Sequence, residues 1–187
     1  GGIAHWHVTY QVASEELFRI WVQSTGTNLV ARKAGDPLPR MVLDGRWEFR
    51  QDPNREGEAG QWWSAETHYP DTIDVPGTWQ AQGFGPPIGI VKHNYQGHAW
   101  YRRAVTPPSE WQGRRIWLRF EGVCNNGDAY LNGRPVGRIE TFITPYEFEV
   151  TDLIHFDRDN LLSVRVDSGS TEAVQRSNIS PFSPEST

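Results

Sequence analysis

The sequence predicts an antiparallel β-sandwich, an all-β fold. Three observations carry this. Short segments of alternating apolar and polar residues recur every 10 to 20 residues along the chain. Turn chemistry built on Gly, Pro and Asn-Gly separates them. No apolar stripe of helical period reaches 12 residues. Repeated short strands punctuated by turns are the pattern of two packed sheets.

The elements follow in order. "HWHVTYQV" (5–12) and "LFRIWVQS" (17–24) read as a strand pair. "ARKAGDPLPR" (31–40), with two prolines and basic residues, reads as a linker. "WEFRQD" (47–52) restarts the strands. Residues 53–74 are polar and irregular, with Trp62 and Trp63 expected to cover an edge of the sandwich. "VPGTWQAQG" (75–83) is a turn, because Pro fixes φ and Gly supplies positive φ. Trp79 in that turn reads as a plug at the root of a loop. "AWYRRAV" (99–105) is a strand that stops at two prolines. In "RRIWLRFEGV" (114–123), Ile116, Leu118 and Phe120 share one face, and Arg115, Trp117 and Arg119 the other. "DAYLNGRPVGRIE" (128–140) is a hairpin with Asn132-Gly133 at its tip. "YEFEVTDL" (146–153) alternates, and "NLLSVRVDS" (160–168) is the last clear strand. The expected core is Ile116, Leu118, Phe120, Leu131, Phe148, Val150, Leu162, Val164 and Val166. Residues 169–187 read as a loop or tail rich in Ser, Thr and Pro.

Length and composition narrow the function classes. A chain of 187 residues is long enough for one well-filled core. Net charge is −5 with both signs dispersed, so the basic stripe of a nucleic-acid binder is missing. No apolar run approaches a membrane span of about 20 residues. The start, "GGIAHWHVTY", lacks the basic and apolar regions of a signal peptide. Cys124 is the single cysteine, so no disulfide can form within the chain. Nine tryptophans suit either an all-β core or stacking on sugar rings.

Catalytic and cofactor signatures are missing. There is no P-loop, GxSxG, CxxC or HExxH. His93 and His98 are five apart, which does not match a helical metal site, and they read as loop histidines. Glu147 and Glu149, two apart on a strand, fit the spacing of about 5–9.5 Å that glycosidase carboxylates use. A solvated strand face accounts for them more simply. No catalytic residue, cofactor or metal is assigned.

Six segments occur in an informative order. They are "LDGRWEFRQDP" (43–53), "TIDVPGTWQAQGFG" (72–85), "YQGHAWYRRAVTPP" (95–108), "GRRIWLRFEGVCNNGDAYLNGRPVG" (113–137), "TPYEFEVTDLI" (144–154) and "NLLSVRVDS" (160–168). Together they resemble the N-terminal sugar-binding domain of glycoside hydrolase family two, the family of β-galactosidases, β-glucuronidases and β-mannosidases. The resemblance covers about 43–168. It implies a jelly-roll sandwich of the galactose-binding type over 41–168. It also implies downstream domains, with the catalytic glutamates on a barrel that this chain does not contain. Residues 1–40 have no counterpart and are expected to be an added hairpin with a linker. "AVQRSNISPFSPEST" (173–187) lacks the Gly-Ile-x-Arg segment with which the family continues.

In that family the loop after "VPGTWQ" approaches the bound sugar, which places attention on 84–98. Sugar sites combine a flat apolar platform with planar hydrogen-bonding groups. His93, Asn94, Tyr95 and Gln96 offer these together, although a plain polar surface loop would look the same. Asn125, Asn126 and Asp128 form a second candidate cluster, where a turn is the preferred reading. Glu140 and Tyr146 form a third, with Phe142 and Tyr146 expected to pack rather than stack. Trp117, between Arg115 and Arg119, is a platform, a stem covered by those two arginines or, preferably, a domain interface. The leading expectation is a non-catalytic domain that contacts or shapes the site for a β-linked glycoside. The alternatives are an independent carbohydrate-binding module for a polysaccharide and a packing domain that never meets sugar. Expected partners are carbohydrate and the downstream domains, with no nucleic acid and no membrane.

Overall fold

A computed structural model describes residues 27–32, 39–88, 92–93, 95–123, 126–140 and 144–169. The strand pair expected at 5–12 and 17–24, the tail after Gly169, and Asn94, Cys124, Asn125 and Phe142 lie outside the described residues.

The strands are β1 Thr27–Arg32, β2 Arg40–Val42, β3 Gly45–Asp52, β4 Asp71–Val75, β5 Pro87–Ile88, β6 Lys92–His93, β7 His98–Val105, β8 Arg115–Phe120, β9 Asn126–Leu131, β10 Arg134–Ile139, β11 Tyr146–Glu149 and β12 Asn160–Asp167. A six-stranded sheet has the order β10-β9-β12-β7-β3-β4, and a four-stranded sheet the order β11-β8-β1-β2. Their pairings are antiparallel. β5 and β6 form a small hairpin of their own. The expected antiparallel sandwich is therefore the observed fold.

The core lies between the two sheets, as side-chain alternation requires. Ile116, Leu118 and Phe120 of β8 face Leu162, Val164 and Val166 of β12 and Leu131 of β9, all buried. Phe148 packs against the same cluster and is half-buried. Its ring lies over Gly137, where a Cβ would come within 2.2 Å of Phe148 Cε1, so only glycine allows β10 and β11 to approach there. Trp47 and Phe49 of β3, Ile73 of β4 and Leu43, between β2 and β3, complete the core.

The hairpin tip is where Asn-Gly placed it. Asn132 (φ 53°) and Gly133 (φ 78°) take the left-handed conformations of a type I′ turn between β9 and β10. Asn132 also ties that turn to other elements. Its Nδ2 donates to Leu153 O and Asn160 Oδ1, each at 2.8 Å, and its Oδ1 accepts from Leu161 N at 2.9 Å.

Four local readings are corrected by the fold. The 31–40 stretch is not all linker, because Ala31 and Arg32 end β1 and Arg40 begins β2. Residues 71–75 are not irregular: they form β4, paired to β3 with Ile73 opposite Trp47. Asn126 and Asp128 are not in a turn but on β9, held by pairing with β10 and β12. His98 is not a loop residue, since it starts β7 and is buried.

The segment 53–70 does not cover an edge. It lies on the outer face of the six-stranded sheet, where Trp62, Tyr69 and Trp100 form a second buried cluster with Trp63 and Tyr130 against it. Two buried charges fasten it. Asp52 accepts from Trp100 Nε1 at 3.0 Å, Glu56 N at 2.7 Å and Gly57 N at 2.9 Å. Arg102 forks onto Glu48 at 2.7 and 3.1 Å and donates to the carbonyls of Ser64 at 2.9 Å and Thr67 at 2.8 Å. Burial of such groups is tolerable because their hydrogen-bonding capacity is met.

Candidate functional site

Strand register brings the candidate loops to one end of the sandwich. Asp167 at the end of β12 lies opposite His98 at the start of β7 and Asn126 at the start of β9. Gly127 lies opposite Ile139, the last residue of β10. Gly97 N donates to Ser168 Oγ at 3.1 Å, joining the loop before β7 to the exit of β12. On the other sheet, Tyr146 at the start of β11 is opposite Phe120 at the end of β8.

The individual candidates differ in what they present. His93 is half-buried on β6, with Nδ1 2.7 Å from Gly85 O. A carbonyl only accepts, so this nitrogen carries the proton and closes the base of the β5–β6 hairpin. Gln96 is exposed. Tyr95, between them in sequence, is more buried than either, only 8% exposed. Its ring packs 5.2 Å from Trp79, and its hydroxyl donates to His98 O and accepts from Asp52 N at 3.2 Å. Burial pushes this phenol up to about 12. Tyr95 thus supports the loop from beneath rather than offering an open ring face.

Asn126 is half-buried on the outer face of the large sheet, beside Asp128 on the same face. Asp128 accepts from Arg165 Nε at 3.0 Å, and Arg165 Nη1 lies 3.3 Å from Glu58 on the covering segment. Glu140 is exposed, 3.9 Å from Arg138. Tyr146 is half-buried and stacks on Phe148 with ring centroids 6.2 Å apart, consistent with packing. Asn94 and Asn125 lie outside the described residues.

Trp117 sits on the outer face of the four-stranded sheet, half-buried among ion pairs. Arg115 lies 5.2 Å over its ring and also bonds Glu149 at 2.8 Å. Arg119 holds Glu121 at 2.7 Å and Glu147 at 2.8 Å. Both strand carboxylates, Glu147 and Glu149, are engaged by arginines. The hydrogen bond from Arg115 holds Glu149 down at about 2, although that carboxylate is open to solvent. Among the described residues, no group of three or more His, Cys, Asp or Glu side chains is placed to hold a metal ion. No described helix is long and apolar enough to cross a membrane.

The turn 75–83 is built around Gln82. Its side chain accepts from Asp74 N at 2.7 Å and donates to Asp74 O at 2.9 Å. Gly77 is needed for this clamp, because a Cβ there would lie 2.3 Å from Gln82 Nε2. The turn thereby drops Trp79 into the core, 5% exposed, as the plug its position predicted. Behind it the sheets leave a cavity of about 170 Å³, walled by Trp47, Trp79, Tyr101, Phe120, Val123, Val164 and Val166 and reaching Ser168 at the exit of β12. Sequence reading missed this cavity. Its walls come from five separate stretches of chain, with no local signal beyond an abundance of aromatics.

Residues 41–175 match the family described as "Glycosyl hydrolases family 2, sugar binding domain". The chain belongs to this family. Relatives of the family 2 sugar binding domain include a β-galactosidase of Priestia megaterium, 31% identical over 144 residues, which cover 66% of this chain and 14% of that protein. A β-glucuronidase of Bacteroides fragilis is 28% identical over 129 residues, 69% of this chain and 16% of that protein. Among solved structures, a β-glucuronidase of Ruminococcus gnavus in complex with uronic isofagomine superposes with a TM-score of 0.60 at 26% identity, covering 68% of this chain and 21% of that one. The fold is therefore that of the N-terminal jelly roll of family 2 proteins. The chain spans about a seventh of the length of these curated relatives.

Proposed function

We propose that this family 2 sugar binding domain is non-catalytic and shapes the site for a β-linked glycoside whose chemistry is carried by other domains of its parent protein. The carrying observation is the convergence, at one end of a family 2 sandwich, of 95–97, the start of β9 and the end of β10. Connecting segments at a sandwich end are free to form a concave surface, while both sheet faces are occupied by core or by ion pairs. Of the described candidates here, Gln96 and Glu140 are exposed and His93 and Asn126 are half-buried.

The choice over an independent polysaccharide-binding module rests on the state of the aromatics. Among the described residues of these loops, Tyr95 is buried and Phe84 and Tyr146 are half-buried, so none offers the exposed ring a self-sufficient sugar platform needs. A shared site, completed by another domain, asks less of this one. The packing-domain alternative is separated by the same experiment. Amide shifts are followed while galactose, glucuronate and mannose are titrated to millimolar concentration. Perturbation confined to 95–97, 126–128 and 139–140 supports the reading. Perturbation around Arg115–Arg119 would move the site to Trp117, and silence throughout would leave a bracing domain. The isolated chain is also expected to release no nitrophenol from nitrophenyl glycosides.

A further inference from the structure

We propose that the cavity between the two sheets is a binding site for a small uncharged aromatic ring, adjoining the loop site for sugar at Ser168. Four aromatic side chains, Trp47, Trp79, Tyr101 and Phe120, and the valines Val123, Val164 and Val166 form its walls. Its volume of about 170 Å³ is comparable to the apolar cavity of about 150 Å³ that takes up benzene in another protein, and it opens to solvent beside the exposed Gly77, Thr78 and Gln80.

The polar groups at its edge decide the class of ligand. Trp79 Nε1 donates to Tyr101 Oη. Thr78 Oγ1 accepts from Ala81 N at 3.3 Å, and Gln80 Nε2 donates to Tyr95 O at 3.2 Å. Ser168 Oγ accepts from Gly97 N at 3.1 Å and lies 3.4 Å from Gly97 O. Each of these groups makes at least one bond to the protein's own chain, and the remaining capacity of Thr78 and Gln80 lies at the exposed mouth. A pyranose placed here would bring hydroxyls with few partners, each costing about 1–3 kcal/mol when left unpaired. A flat ring replaces missing van der Waals contacts and meets the wall aromatics in offset or edge-to-face geometry.

The inference rests on the cavity alone and stands whether or not the loops bind sugar. The test uses the full chain with ¹³C-labelled valine methyls, titrated with benzene, with indole, and with methyl β-galactoside as a polar control. Saturable ring-current shifts at Val123, Val164 and Val166 with benzene or indole, but not with the galactoside, are expected. Val164→Phe fills the cavity and should weaken binding by at least tenfold, about 1.4 kcal/mol. Val75→Phe, from the half-buried rim of the same cavity, serves if that variant fails to fold. Absence of shifts with both rings overturns the proposal, whatever fills the space. So does equal binding by the filled variants, or the same shifts with the galactoside.

Discussion

Replacing Asp52 by alanine should release the segment 53–70 from the large sheet while leaving the sandwich beneath it folded. Asp52 is 2% exposed and serves three donors. Glu56 is exposed, so its amide recovers a water when the carboxylate goes. Trp100 Nε1 and Gly57 N are buried and do not. Two stranded donors at about 1–3 kcal/mol each give about 2–6 kcal/mol. Removing a buried carboxylate returns part of this, because its desolvation no longer has to be offset. The expected net loss is about 3 kcal/mol, with Asp52→Asn losing about half as much because one oxygen acceptor remains. Urea unfolding measures the total. Native-state hydrogen exchange locates it: the Trp62 amide, which donates to Gly57 O at 2.9 Å, should lose protection before the β7 and β12 amides do. Because Asp52 bonds Trp100 directly, Asp52→Ala and Trp100→Phe should be less than additive in a double-mutant cycle. A loss under about 1 kcal/mol for Asp52→Ala, or unchanged protection at Trp62, would refute the assignment of Asp52 as the fastening of this segment.

Other residues give sharper tests of single readings. Tyr95→Phe should cost about 1–2 kcal/mol in urea unfolding, since the His98 carbonyl and the Asp52 amide both lose their partner; weakened sugar binding with unchanged stability would instead make Tyr95 a ligand contact. Gly133→Ala should destabilise by about 1–2 kcal/mol from left-handed strain alone, its Cβ meeting nothing nearer than Trp63 Cδ1 at 3.9 Å. Asn132→Ala should cost more than Gly133→Ala, because it also removes the ties to Leu153, Asn160 and Leu161; equal losses would show those ties to be idle. The Glu149 carboxylate has a lowered value of about 2, so any stability it adds is present above its ordinary value near 4.5 and fades as pH falls through about 2. Glu149→Gln should flatten that acid limb slightly and, since the pair with Arg115 is exposed, have almost no effect at pH 7 in high salt, as read by thermal melts.

Period-two alternation is a local property, and it was enough to place most of this fold in advance. Ile116, Leu118 and Phe120 share a face because neighbouring strand residues point oppositely, whatever the strand pairs with. Asn132-Gly133 makes its turn because both residues tolerate positive φ, again without outside help. The family resemblance likewise rests on the order of short segments. Pairing across the sheets, by contrast, is decided by distant residues. β12 inserts between β9 and β7, and nothing in "NLLSVRVDS" names those neighbours. The irregular 53–70 became a cover for the outer sheet face because Asp52 meets Trp100, 48 residues away, and Arg102 meets carbonyls about 35 to 38 residues away. Tyr95 reads as a loop residue by its sequence neighbours, yet Trp79 and Asp52 bury it. The cavity has no sequence signature, because a void is set by how distant walls fail to meet. Residue type and spacing determined the strands, the turn and the core face; burial and proximity, which fix what each polar or aromatic group is free to do, came only from the tertiary structure.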